Sequence, residues 1–97
     1  MSVYLVTWDL NREKPNYASA RAAFVANLER YEHTKDPGLD SVRFVSTTWD
    51  ASQIQVDLRK FMDANDKLFV VRLNRDTGTG HEGWLNQTVW DWIKTRL

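Results

Sequence analysis

A chain of 97 residues supports one domain with a single, shallow core. Thirteen Lys and Arg balance thirteen Asp and Glu, so no net field draws the molecule to nucleic acid or a membrane surface, and any such contact needs a local patch. The absence of cysteine excludes disulfides and thiolate metal sites; with no basic leader and no bilayer-length apolar run, the expected location is the cytoplasm.

In chain order, the first element is a strand over Ser2 to Trp8. Val3, Tyr4, Leu5, Val6 and Trp8 suit a pleated, buried surface, and the run stops at Asp9. The polar stretch Asn11-Arg12-Glu13-Lys14-Pro15-Asn16 ends that strand, and Asn16 is placed to cap the next element. Tyr17, Ala20, Phe24, Leu28 and Tyr31 recur at spacings of three and four, which predicts a helix from about Tyr17 to Tyr31 with one apolar stripe. A weak strand is expected at Glu32 to Thr34, then a turn at Lys35-Asp36-Pro37-Gly38, then a better strand from Ser41 to Thr48. These two strands form a hairpin.

Ser52-Gln53-Ile54-Gln55 reads as a capping box opening a second helix that runs to about Ala64, with Ile54, Leu58, Phe61 and Met62 inward. Lys67 to Leu73 is the clearest strand after the first. Asp76 to Gly83 is a polar, glycine-rich connector, and Leu85, Val89, Trp92 and Ile93 mark a final helix from about Leu85 to Arg96. The order β-α-β-β-α-β plus a terminal helix predicts an α+β, ferredoxin-like domain. In it, two helices cover one face of a four-stranded antiparallel sheet. The other face then requires a partner subunit or the terminal helix as cover. Five tryptophans point the same way, because so small a domain cannot fully bury five large rings.

Four segments, in order, carry a family likeness. Val6-Thr7-Trp8-Asp9-Leu10-Asn11, Leu39-Asp40-Ser41, Ser52-Gln53-Ile54 and Asp63-Ala64-Asn65-Asp66-Lys67-Leu68-Phe69-Val70-Val71-Arg72-Leu73 resemble small bacterial proteins of the SinR family. That group is similar to the CRISPR-associated protein two family and to virulence-associated protein D. The resemblance implies a homodimer, with Trp8, Val45, Phe69 and Val71 expected at its interface. It also implies that Asp9, closing the first strand, meets its copy across the two-fold axis. There the pair would hold Mg²⁺ or Mn²⁺ and act on RNA or DNA in bacterial defence or a toxin-antitoxin context. The alternative is a non-catalytic dimeric adaptor or interaction module, for a protein partner, with a degenerate nuclease site. Trp8 stands where the relatives usually carry Tyr, and the adaptor family's integrase-docking tail has no counterpart here.

The residues themselves leave the chemistry open. One carboxylate per subunit suffices for a shared hard cation, yet Asp also closes strands and bonds nearby amides. Asn11 is a second oxygen ligand or a turn former. Arg12 and Lys14 near the first strand, with Arg43, Arg72 and Arg75 from the sheet, could track a phosphate backbone if they share a surface; otherwise they are solvated charges. Ser46, Thr47 and Thr48 contact phosphate or simply suit a strand. His33 and His81 lack metal-ligand spacing, and His81-Glu82 is a loop acid-base pair or a solvated loop. Thr77 to Gly83 lacks the lysine of a phosphate-binding loop.

Overall fold

Alternation along the first strand organises the molecule. In β1 (Ser2–Asp9), Tyr4, Val6 and Trp8 face one way and Val3, Leu5, Thr7 and Asp9 the other. The computed structural model describes residues 1–13, 15–74 and 81–97; Lys14, Arg75 and positions 76–80 of the glycine-rich connector lie outside the described residues. The remaining elements are α1 (Tyr17–Leu28), β2 (Glu32–Thr34), β3 (Val42–Thr47), α2 (Ala51–Leu58) continued by a 3-10 turn (Arg59–Phe61), β4 (Lys67–Arg72) and α3 (Gln87–Arg96). The sheet order is β2-β3-β1-β4, and each pairing is antiparallel. This is the ferredoxin-like arrangement with a C-terminal helix added.

One face of the sheet carries the main core. Tyr4, Val6, Trp8 and Val45 meet Phe24 and Leu28 of α1 and Ile54 and Leu58 of α2. Phe24 lies against Trp8 with ring centroids 5.1 Å apart. The other face carries a smaller core in which Val3 and Phe44 pack under Val89 and Ile93 of α3. Burial of such side chains supplies roughly 1.5–3 kcal/mol apiece, so α3 is bound to the sheet as a structural part.

The position of α3 follows from its two ends. The Asn86 amide donates to Asp36 Oδ2 at 2.7 Å, just beyond the end of β2. At the other end Arg96 pairs with Glu32, where β2 begins, and its guanidinium stacks over Trp92 at 4.3 Å. Thus α3 runs antiparallel to β2 and reaches β1 at Val3 and Leu5. On that face Phe69 and Val71 of β4 and Asp9 at the end of β1 stay exposed.

Three expectations are corrected in detail. The capping box sits two residues earlier: Asp50 Oδ1 accepts from the Gln53 amide at 2.8 Å, and Gln53 Oε1 accepts from the Asp50 amide at 2.9 Å. Asp50 has the extended backbone a cap requires, whereas Ser52 is already helical. Helix α1 ends at Leu28, and Tyr31 reaches the core from the turn beyond it. Phe61 does not face inward; the tightened turn leaves it 45% exposed.

Candidate interaction surface around Asp9 and β4

Asp9 ends β1 opposite Lys67 of β4, and its side chain is exposed on the open face. Among the described residues it makes no hydrogen bond or ion pair. The local amides that a strand-closing Asp would bond are held by another carboxylate. Asp66, buried in the turn before β4, accepts the Asn11 amide at 2.8 Å and the Asp63 amide at 2.9 Å. Asn11 is a turn former, since its Oδ1 accepts the Glu13 amide at 3.0 Å. Sequence reasoning missed Asp66; a buried Asp beside Asn65 in a turn was the available signal.

Running from Asp9 along the open face, the register sets Lys67 opposite Asp9, Phe69 opposite Thr7 and Val71 opposite Leu5. Phe69 is 63% exposed and Val71 is 38% exposed. A Phe and a Val side by side on a regular strand form an apolar strip with a charged pair of groups at one end. The other two residues expected at an interface are elsewhere. Trp8 and Val45 point into the core under α1 and α2 and present nothing to a partner. Of the tryptophans, Trp90 and Trp92 pack around the smaller core, while Trp49 and Trp84 are exposed, Trp84 almost completely.

The arginines among the described residues are not gathered on one surface. Arg43 is buried: Nε donates to Glu29 Oε2 at 3.1 Å, Nη1 to the Val42 carbonyl at 2.9 Å, and the guanidinium stacks over Trp8 at 5.4 Å. It serves the fold and is withheld from phosphate. Arg12 lies over the Tyr17 ring beyond the end of β1. Arg72 sits at the opposite end of β4, about 17 Å of strand from Lys67. Ser46 is buried and out of a phosphate's reach, and Thr47 Oγ1 accepts the Trp49 amide in the turn after β3.

Two buried carboxylates are engaged in structure. Asp57 of α2 accepts from Arg30 Nη2 at 2.6 Å, from the Tyr31 hydroxyl at 2.7 Å and from Lys60 Nζ at 3.1 Å. Burial pushes its carboxyl upward, but the bonds from Tyr31 and Lys60 and the charge of Arg30 outweigh that, and the net shift is downward. Burial and the same carboxylate raise the Tyr31 phenol above its ordinary value. Asp36 is held below the usual carboxylate range by the amide of Asn86 and then that of Gly38. His81 is not in a solvated loop: its ring stacks on Trp90 at 6.3 Å between centroids, and both ring nitrogens are buried without a hydrogen-bond partner among the described residues. His33 Nε2 lies 3.7 Å from Glu29.

Among the described residues, no group of three or more His, Asp or Glu could hold a metal ion. Nor is any helix of the described residues long and apolar enough to cross a membrane. No protein-family model matches the chain, and no curated protein matches it. Fold and surface together define a small ferredoxin-like domain with a half-covered second sheet face.

Proposed function

We propose that the protein acts as a non-catalytic homodimeric interaction module, assembled through the uncovered half of its second sheet face. The observation that carries this reading is the exposed Phe69–Val71 strip on β4, flanked by half-buried Leu5 and Thr7. A large aromatic held rigidly on a strand loses little entropy on docking and is a typical centre of an interface. The remaining surface, including Trp84 and Trp49, is available to a protein partner. Light scattering during size-exclusion chromatography tests the reading. The wild-type chain is expected at dimer mass at micromolar concentration, and the pair Phe69→Ser and Val71→Ser at monomer mass. A wild-type monomer at that concentration overturns it.

A second reading rests on Asp9, whose carboxylate stands on that same open face without a partner among the described residues. Two copies of Asp9 meeting across the dimer axis would share Mg²⁺ or Mn²⁺ and give a nuclease acting on RNA or DNA. This is the activity implied by the resemblance to the CRISPR-associated protein two and virulence-associated protein D groups. The one-copy geometry supports it less well than the module, because among the described residues no group of three or more His, Asp or Glu stands together. Cleavage assays with RNA and DNA in Mg²⁺ or Mn²⁺ are decisive. Asp9→Asn is expected to abolish cleavage while leaving stability within about 0.5 kcal/mol. Activity that survives the substitution removes the site.

A further inference from the structure

The outer edge of β4 adjoins the dimer face at Phe69, which also lines the groove beside it. β4 ends the sheet order, so its backbone meets β1 on one side only. The Leu73 amide donates to the Val3 carbonyl at 2.8 Å. Antiparallel bonding alternates, so in the same register Val71, Phe69 and Lys67 also turn their backbone groups toward β1. Leu68, Val70 and Arg72 turn theirs outward. Edge strands of stable monomers are usually shortened or covered, yet β4 keeps six residues in regular extension.

Beside this edge runs an open groove of about 990 Å³ between α2 and β4. Val56, Met62, Leu68 and Val70 supply its apolar wall. Val56 is 58% exposed in the middle of α2, on a side of the helix that the domain's own core does not use. The rim is basic. Arg59 and Lys67 line it, and Arg72 follows Val70 on the same side of the strand. Among the described residues none of these three cations has an ion-pair partner. The carboxylates at the groove, Asp63 and Asp66, accept backbone amides of Asn65, Asn11 and Asp63.

We infer that the β4 edge and its groove bind an acidic, extended segment of a partner protein by strand addition. Its main chain pairs with Leu68, Val70 and Arg72. Its apolar side chains, at every second position, enter the groove beside Val56 and Met62; carboxylates at the two ends of that same row meet Arg59 and Arg72, and those at the intervening positions face the Lys67 side of the strand. Main-chain bonds supply affinity in this mode and alternate side chains supply selectivity.

Fluorescence anisotropy of the full chain with a short labelled peptide, carrying Val at the inner and Glu at the two outer positions of one alternate set and Glu throughout the other, tests the inference. N-methylation of one alternate set of peptide amides is expected to weaken binding about tenfold, and methylation of the other set to leave it unchanged. This arm leaves the protein untouched. Val70→Pro, which removes an amide pointing away from β1, is expected to cost about tenfold, and Arg72→Glu to weaken binding and flatten its salt dependence. Val71→Ser, on the dimer face and outside the groove, is expected to leave peptide affinity unchanged even where it shifts the dimer. Equal binding of both methylated peptides, equal binding of a Lys and Val counterpart, or no binding by the acidic peptide overturns the inference. So does a change of mass on Val70→Pro alone, which would assign the edge to a second copy.

Discussion

Replacing Asp57 with Ala strips the acceptor from the bond network that joins the end of α1 to α2. Three donors lose it: the Tyr31 hydroxyl, Arg30 and Lys60, at 2.7, 2.6 and 3.1 Å. Arg30 and Lys60 are 59% and 65% exposed, so water re-solvates them and each contributes well under about 1 kcal/mol. The part-buried Tyr31 hydroxyl loses a hydrogen bond to a charge, at about 1.5–3 kcal/mol. The sum is about 2–4 kcal/mol, or a fall in Tm of about 10–20 °C in a domain of this size. Asp57→Asn keeps the shape and one acceptor oxygen and is expected to cost about half as much. The sign of the pH dependence follows from the depressed folded-state carboxyl. Its stabilisation is complete above the ordinary carboxylate range and is lost as pH falls through the lower, folded value. The gap between wild type and Asp57→Asn must therefore narrow in acid. Urea unfolding followed by tryptophan fluorescence, at neutral pH and near pH 3, measures both effects. A loss below about 1 kcal/mol on Asp57→Ala, or a gap unchanged in acid, refutes the reasoning.

Asp36→Ala is expected to loosen the start of α3, seen as faster hydrogen exchange at the Val89 and Trp90 amides with β1 and β3 amides unchanged. Because the Asp36 carboxyl is depressed, the wild-type chain should show the same loosening only when acid protonates it. Asp50→Ala should cost about 1 kcal/mol in thermal or urea melts, while Ser52→Ala stays within about 0.5 kcal/mol; the reverse order would restore the cap to Ser52.

The strand and helix order was legible because the elements carry their own local patterns. β1 is a short apolar run of strand-forming residues that stops at an acid, and α3 repeats Val89 and Ile93 at helical spacing. What stayed hidden depends on which side of an element a residue takes in three dimensions. Trp8 and Phe69 look alike as strand aromatics, yet one faces α1 and the other the open side, and only the register separates them. Arg43 reads as a surface cation until Glu29, fourteen positions earlier, is found beneath it. Asp57 lies within a helix whose sequence shows no reason to bury a charge; Lys60 is a local partner, but Arg30 and Tyr31 come from the α1 side, beyond the reach of any local pattern. Asp9 was visible at once, because a lone acid at the end of an apolar strand stands out in any reading. Its meaning was not, since a carboxylate's role depends on what stands across from it.

Every strand precedes α3 in chain order. On the ribosome, the sheet can therefore pair while Val3 and Phe44 still lack the cover of Val89 and Ile93. A nascent chain passes through a stage with an oily flank bare. At that stage the last helix of a sister molecule could make the same contacts as its own, the condition under which two copies exchange an element.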